Sequence, residues 1–166
     1  SLSIAQINEP LQRELLDMQT KDQDIRTEIS KIGWHKISKE LLIKLEAIDI
    51  ENTKRLKQII SEHSWLKEET VGKNGILAAF LIIQHSPDKY FKETMLPLLE
   101  ESYVKDEGVT GQQIALLSDR VLIDGGKKQI YGTQAQITKG EVLFDPIQDE
   151  KNVNKRRQRI GLPPIE

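Results

Sequence analysis

The sequence predicts a mainly α protein, a helical bundle around a buried central helix at about 76–85 with a small C-terminal β-hairpin at about 129–144. In the first part of the chain, apolar residues recur at steps of three and four, which is the period of an amphipathic helix. An almost unbroken apolar run, 76–83, follows, and β-like composition appears only after Gly126. Helical patterns that precede a single short hairpin favour a bundle over a sheet-based fold.

The first helix is predicted from its ends and its apolar stripe. Asn8 can cap it with Pro10 in its first turn, and Gly33 ends it. The stripe skips Asp22, which the helical phase places on the buried side, one turn before Arg26. A buried carboxylate is costly unless it is paired, so we expect either Arg26 or Asn52, which lies on the next helix, to bind Asp22. The apolar positions are Leu11, Leu15, Met18, Ile25, Ile29 and Ile32.

A second long helix follows, which Ser38 can cap. Its stripe is interrupted by Asn52 in the way that Asp22 interrupts the first stripe. We therefore expect the two helices to form an antiparallel hairpin over 8–64, with Asp22 and Asn52 near the same level of the core. The apolar positions are Leu41, Leu45, Ile48, Leu56 and Ile59.

The middle of the chain is expected to begin with a loop, 69–75, which contains two glycines. The apolar run 76–83 fits either a buried strand or a buried helix. Its alanines and the Asn-Gly that precedes it favour the helix. Because the run is apolar on every side, we expect it at the centre of the bundle.

The next helix is expected to begin with Ser86 as its cap and Pro87 in its first turn. Pro97 lacks a backbone donor and should kink or divide this helix. Thr110 can cap a further helix that ends at 125–126, a Gly-Gly pair. The apolar stripe of the helix after Pro87 is Tyr90, Phe91, Met95, Leu98, Leu99 and Tyr103.

The character of the sequence changes towards the C-terminus. Two β-like runs, 129–138 and 141–144, are joined by Lys139-Gly140, which can form a tight hairpin turn. Asp149 can cap a last short helix, 150–160.

Length and composition indicate one domain, 1–166, composed of the helical hairpin 8–64, a helical core 75–124 and the hairpin with its C-terminal helix, 128–166. Lys and Arg number 24 against 26 Asp and Glu, so we expect no attraction to nucleic acid. The chain has no cysteine, which excludes disulfides and thiolate chemistry. No apolar run reaches the roughly 18 to 20 residues of a membrane span. The sequence leaves two locations open, the cytoplasm and export with a signal peptide that is then removed.

His85 is the best single candidate for chemistry, because it follows the apolar run directly. At a helix C-terminus the dipole favours the charged ring, whereas burial favours the neutral ring. A group balanced between these effects can act as an acid or a base near neutral pH. The alternative is a structural histidine that is bonded to a nearby carbonyl or is simply exposed.

Further polar residues accompany His85 later in the chain. Asp119 and Arg120 could orient His85, bind an anionic ligand or form ordinary salt bridges. In the segment 131–134, Gly132 removes a Cβ, so the backbone there is expected to pass close to another group. The histidines have no metal-binding spacing, so we expect no metal, and nothing indicates a cofactor.

The ordered set of short motifs resembles an uncharacterised bacterial family that is catalogued only as a domain of unknown function. Its motifs Q-H, D-R, Q-x-Y-G-T-Q and G-L-P-P occur here at 84–85, 119–120, 129–134 and 161–164. The resemblance covers most of the chain and implies no known activity, substrate or cofactor. The recurring residues are mostly polar, which favours a site over packing alone.

Two hypotheses follow. In the first, the chain binds a small anionic ligand at a polar cleft around His85 and Tyr131, and hydrolysis or group transfer is the reaction class that this site would carry out. The candidate catalytic residues are His85, Asp119 and Tyr131, and the candidate ligand-binding residues are Gln23, Arg26, Gln84, Arg120, Thr133 and Gln134. In the second, the chain is a helical protein-interaction module in which these residues form a structural hydrogen-bond network. The partner is accordingly an unknown small molecule or protein.

Overall fold

The computed structural model describes residues 5–165 and confirms the mainly α fold class. Within that range the chain forms six α-helices and one two-stranded antiparallel hairpin near the C-terminus. The chain divides into an N-terminal unit, through Phe91, and a C-terminal unit, from Lys92. The single-domain organisation stays a prediction.

Helix α1 (Glu9–Ile32) begins and ends where the sequence predicts. The Asn8 side chain accepts a hydrogen bond from the Leu11 amide at 3.2 Å, and the chain leaves the helix at Gly33. Asp22 is buried on the apolar side, as its helical phase indicates. Ile32 was expected in the stripe but is 47% exposed, since it lies in the last turn beyond the packed part of the helix.

Helix α2 (Lys39–His63) follows a short 3₁₀ turn, with Ser38 as its cap. It packs against α1, and Ile25, Ile29 and Leu45 form a buried cluster between the two helices. Asn52 lies inside this packing and donates a hydrogen bond to the Met18 carbonyl at 3.2 Å. The predicted helical hairpin is therefore present in the N-terminal unit.

Helix α3 (Glu68–His85) starts earlier than expected, because the predicted loop 69–75 is largely helical. Gly72 interrupts the helix with a φ of +72°, so that α3 consists of a short first turn and a long second part. The Gln12 side chain donates to the Val71 carbonyl at 2.9 Å and so compensates for the interrupted backbone bonding. The composition of 69–75 is typical of a loop, but its contact with α1 stabilises it as a helix.

The second part of α3 is the buried helix that the apolar run predicts. It packs against both α1 and α2. Leu77 alone among its large apolar residues is exposed, at 40%. The fully or almost fully buried positions of this part include Ile76, Ala78, Ala79, Phe80, Ile82 and Ile83.

The sequence predicts Ser86 as the cap of helix α4 (Lys89–Val104). In the structure Asp88 caps this helix instead. The Asp88 carboxylate accepts from the Phe91 amide at 2.9 Å, whereas Ser86 ends α3. Pro97 lies inside α4 without dividing it. The predicted stripe is only partly buried, since Tyr90 is 75% exposed.

In the C-terminal unit, α5 (Gly111–Asp124) begins with a capping box. Thr110 accepts from the Gln113 amide, and the Gln113 side chain accepts from the Thr110 amide. The helix ends at Gly125, as predicted. Ile114, Ala115 and Leu117 are buried.

Strands β1 (Ala135–Thr138) and β2 (Glu141–Phe144) form the hairpin, with Lys139 and Gly140 in its turn. The hairpin is shorter than the predicted 129–144, because 129–134 forms a loop whose amides bind side chains. Asp149 makes no side-chain cap. A 3₁₀ turn follows it and leads into α6 (Val153–Arg159).

No helix among residues 5–165 combines the length and the apolar character needed to cross a membrane.

Candidate functional site

The residues predicted for the site fall into two sets, one in each unit. The N-terminal unit holds Gln23, Arg26, Gln84 and His85. The C-terminal unit holds Asp119, Arg120, Tyr131, Thr133 and Gln134. That the two sets line one cleft stays a prediction.

His85, the last residue of α3, binds the carboxylate of Asp22 on α1. Its Nδ1 lies 2.8 Å from Oδ1 and 3.0 Å from Oδ2 of Asp22. The Asp22 side chain is 1% exposed and that of His85 is 23% exposed. No hydrogen bond to Nε2 of His85 is found within residues 5–165. Because a carboxylate accepts, it selects the neutral ring form with its proton on Nδ1 and a lone pair on Nε2.

Asp22 is itself held by its neighbours on α1. Gln23 donates to Oδ2 at 2.6 Å, and Arg26 donates to Oδ1 at 2.7 Å. Burial raises the pKa of the Asp22 carboxyl, but the hydrogen bonds and positive charge from His85, Gln23 and Arg26 outweigh it, so that the pKa lies below its ordinary value. Asp22 therefore remains a carboxylate at neutral pH.

Arg26 connects this pair to α2. Its guanidinium donates to both carboxylate oxygens of Asp49, at 3.0 and 2.8 Å, while it also binds Asp22. Sequence reasoning anticipated the Asp22–Arg26 pair but missed Asp49, which carries no signal beyond its position on α2.

The polar network continues from Asp49 towards the end of α3. Thr53 donates its hydroxyl proton to the Asp49 carbonyl at 2.7 Å and lies 2.8 Å from the hydroxyl of Ser86. The Ser86 hydroxyl accepts from the Asp88 amide at 3.2 Å. Thr53 and Ser86 are buried, as is Gln84. The chain segment that carries His85 is thus fixed on both sides of the ring.

Asp119 organises a loop in the C-terminal unit. Its side chain is fully buried, and its carboxylate accepts from the amides of Ile130, Tyr131 and Thr133 at 2.8, 3.0 and 3.0 Å. It also accepts from the Thr133 hydroxyl at 2.8 Å. The acceptor sites of Asp119 are therefore used in shaping 130–133.

Gln129 supports the same loop from inside. Its amide nitrogen donates to the carbonyls of Gln134 and Asp145, each at 2.8 Å, and its oxygen accepts from the Gln134 amide at 2.8 Å. Gln129 is fully buried. Sequence reasoning included it in a motif but not in the site, since a buried amide and an exposed one look alike in sequence.

The Arg156-Arg157 pair binds the outer side of the loop. Arg156 donates to the Ile130 carbonyl at 2.7 Å, and Arg157 donates to the Tyr131 carbonyl at 2.7 Å. Gly132, with a φ of +67°, passes close to other side chains, because an added Cβ would lie 2.5 Å from Ile165. The expected close approach of the backbone at Gly132 is confirmed.

Two of the candidate site residues in this unit have a side-chain polar atom without a hydrogen bond among residues 5–165. The phenol of Tyr131 makes none within residues 5–165, and burial, followed by the charges of Asp119 and Glu100, raises its pKa. Nε of Arg120 is buried and has no hydrogen-bond partner in the same part of the chain. Neither the Tyr131 phenol nor Nε of Arg120 takes part in the hydrogen bonds that shape the loop.

The described residues contain no group of three or more His, Asp or Glu side chains arranged to hold a metal ion.

The model of a family of unknown function, DUF6624, matches residues 9–166. The chain belongs to this family. No curated protein and no solved structure matches it. The match spans both units, so it covers the Asp22–His85 pair as well as the Asp119 loop.

Proposed function

We propose that this DUF6624 domain binds a small anionic ligand at His85 and that the Asp22–His85 pair is its acid–base group. The supporting observation is the 2.8 Å contact between Nδ1 of His85 and a buried carboxylate, with Nε2 left without a hydrogen-bond partner among residues 5–165. A ring fixed in this way presents a proton acceptor in a defined direction.

The expected chemistry is hydrolysis or group transfer. The neutral ring takes a proton at Nε2 from water or from a hydroxyl, whose oxygen then adds to an electrophilic centre of the ligand. The imidazolium is stabilised by Asp22 and returns the proton to the leaving group. In its charged form the ring donates from Nε2 to an anionic group, which is the basis for expecting a negatively charged ligand.

Arg26 and Gln23 are positioning residues in this proposal. Arg26 is bound to the carboxylates of Asp22 and Asp49, and Gln23 is bound to Asp22. They fix the carboxylate, and the carboxylate fixes the ring. This differs from the expectation that they would contact the ligand themselves.

A binding screen with one matched variant tests the proposal. In His85→Asn the side-chain nitrogen can still donate to Asp22 from a position close to that of Nδ1, whereas Nε2 is removed. A library of small carboxylates and phosphate esters is screened by ligand-observed NMR, with His63→Asn on the exposed end of α2 as the control. We expect His85→Asn to keep the melting temperature of the wild type and to lose its ligands. Unchanged binding by His85→Asn would overturn the proposal.

The ring form can be observed directly. Long-range ¹H–¹⁵N spectra distinguish the two neutral forms of each histidine, and His35 and His63, both exposed, serve as internal references. We expect the neutral His85 ring to carry its proton on Nδ1. A proton on Nε2 would leave no acceptor there, and the pair could not act as the proposed base.

The second candidate is a protein-interaction module whose polar residues maintain the fold. It is favoured by the complete burial of Asp119 and Gln129, whose hydrogen bonds stay inside the C-terminal unit. In that case His85→Ala lowers the free energy of unfolding by about 1 to 3 kcal/mol through stranded partners, and the wild type binds no member of the library.

A further inference from the structure

Helix α2 carries a second apolar stripe on the side opposite its core face. Ile43 and Ile50 are 56% and 58% exposed, and Ala47 between them is also exposed. Spacings of four and three place these residues in one line along the helix. Leu45, Leu56 and Ile59 face the core of the N-terminal unit. A helix on which both faces are apolar has one face available for a partner.

Charged residues border this outer stripe in an ordered way. Glu40 and Lys54 lie near its two ends, and Lys44 and Glu51 lie along one edge of it, about 20° apart at 100° per residue. All four side chains are exposed, and none of them forms an ion pair within residues 5–165. Four charges without partners beside an apolar stripe are available for intermolecular pairing.

We propose that this outer stripe binds the same stripe of a second copy of the chain, with the two α2 helices antiparallel. In this arrangement a two-fold axis passes near Ala47, and Ile43 packs against Ile50 of the second copy. Lys44 then lies opposite Glu51 of the second copy, and Glu40 lies opposite Lys54 of the second copy. Each charge pair occurs twice because the interface is isologous.

The order of the charges along α2 favours a second copy of the chain as the partner and favours the antiparallel direction for its α2 helix. In a parallel pair the two-fold axis would run along the helices and would put the Lys44–Glu51 edges of the two copies on opposite sides of the interface, so these charges could not pair with each other. The antiparallel pair instead makes every one of these charges complementary. The small side chain of Ala47 lets the two helices approach closely at the axis.

The size of this surface limits the affinity of the proposed dimer. The stretch from Glu40 to Lys54 is about 21 Å long at 1.5 Å per residue, and one helix face of this length is a small interface. We therefore expect a dimer with a Kd in roughly the micromolar range. This association uses the outer face of α2 and does not depend on the proposed role of His85.

Sedimentation equilibrium of the whole chain with charge variants is the main test. Lys44→Glu and Glu51→Lys each place like charges opposite one another and should weaken dimerisation about tenfold. A one-to-one mixture of the two variants restores both pairs, so it should form a heterodimer as strong as the wild-type dimer. The double variant Lys44→Glu/Glu51→Lys should also dimerise like the wild type. If neither combination recovers association, the antiparallel register is wrong.

A single introduced thiol gives an independent readout. Because the chain has no cysteine, Ala47→Cys provides the only thiol, and it would lie beside its own copy at the two-fold axis. We expect rapid oxidation to a disulfide-linked dimer, whereas Ser30→Cys, exposed on α1, forms no disulfide link between the two copies. Ile43→Glu should abolish the cross-link without unfolding the chain. A wild type that remains monomeric at about 1 mM would overturn the proposal.

Discussion

Nδ1 of His85 and Oδ1 of Asp22 are 2.8 Å apart, although 63 positions separate the two residues in the chain. The contact joins the C-terminal end of α3 to the middle of α1, and Gln23 and Arg26 bind the same carboxylate. One buried charge therefore orients an imidazole and bridges helices of the N-terminal unit. Because of this double role, substitutions that remove the contact within the pair should change the free energy of unfolding as well as ligand binding.

Asp22→Asn should lower the free energy of unfolding by about 2 to 4 kcal/mol, because it leaves Arg26 and His85 facing a neutral amide in a buried position. Urea unfolding measures the change. Asp17→Asn on the exposed side of the same helix is the matched control and should stay within about 0.5 kcal/mol of the wild type. Equal effects of the two substitutions would show that the buried charge has no special contribution.

The contribution of Asp22 should depend on pH with a definite sign. Its pKa in the folded chain is below the ordinary value of 3.8, so its contribution is fully present above that value and is lost as the pH falls through the folded pKa. The stability difference between wild type and Asp22→Asn should thus shrink as the pH falls through the folded pKa of Asp22. Urea titrations between neutral pH and about pH 3 measure it.

Other carboxylates do not obscure this comparison. Hydrogen bonds from Arg55 and from Lys57 lower the pKa of Glu14 and of Asp88, respectively. Both groups are present in wild type and in Asp22→Asn, so their contributions cancel in the difference. A difference that grows as the pH falls below 3.8 would contradict the assigned sign.

Asp119→Asn should open the loop of the C-terminal unit. An amide nitrogen in place of one oxygen would face donors instead of accepting from them, which we expect to cost about 3 kcal/mol. Hydrogen exchange should show lost protection at the amides of Ile130, Tyr131 and Thr133. Asp145→Asn is the control, because within residues 5–165 that side chain makes a single exposed hydrogen bond, at 3.5 Å to Gln136. Retained protection in Asp119→Asn would refute the organising role of this carboxylate.

Gly111→Ala should destabilise the C-terminal unit by about 3 kcal/mol or more. An added Cβ would lie 1.9 Å from the Ile160 carbonyl oxygen, so backbone would have to move. Gly125→Ala is a matched control at the other end of α5, where the nearest atoms are 3.5 Å from an added Cβ. Calorimetry should separate the two variants clearly, and similar melting temperatures would contradict the close contact at Gly111.

Local chemistry made most of the helices predictable. Asn8, Ser38 and Thr110 cap helices as expected, because a cap depends on neighbouring residues alone. The buried position of Asp22 followed from helical phase, and Arg26 lies one turn away on the same helix. Such features are encoded within a few residues of sequence.

Features that depend on distant residues were not predictable. The segment 129–134 has β-like composition, yet its amides bind Asp119 and Gln129 instead of a neighbouring strand. The start of α3 reads as a loop, but Gln12 of α1 binds the Val71 carbonyl at the interruption. The carboxylate beside His85 belongs to Asp22, whereas sequence reasoning named Asp119 as its orienting group. No spacing rule relates residues so far apart.

The hairpin turn offers a practical route to these experiments. Lys139 and Gly140 are exposed, and nothing lies within 4 Å of a Cβ added at Gly140. A fluorophore or a short affinity peptide inserted between these two residues would enter the open space around Gly140. One labelled protein could then report both ligand binding and oligomeric state in the same sample.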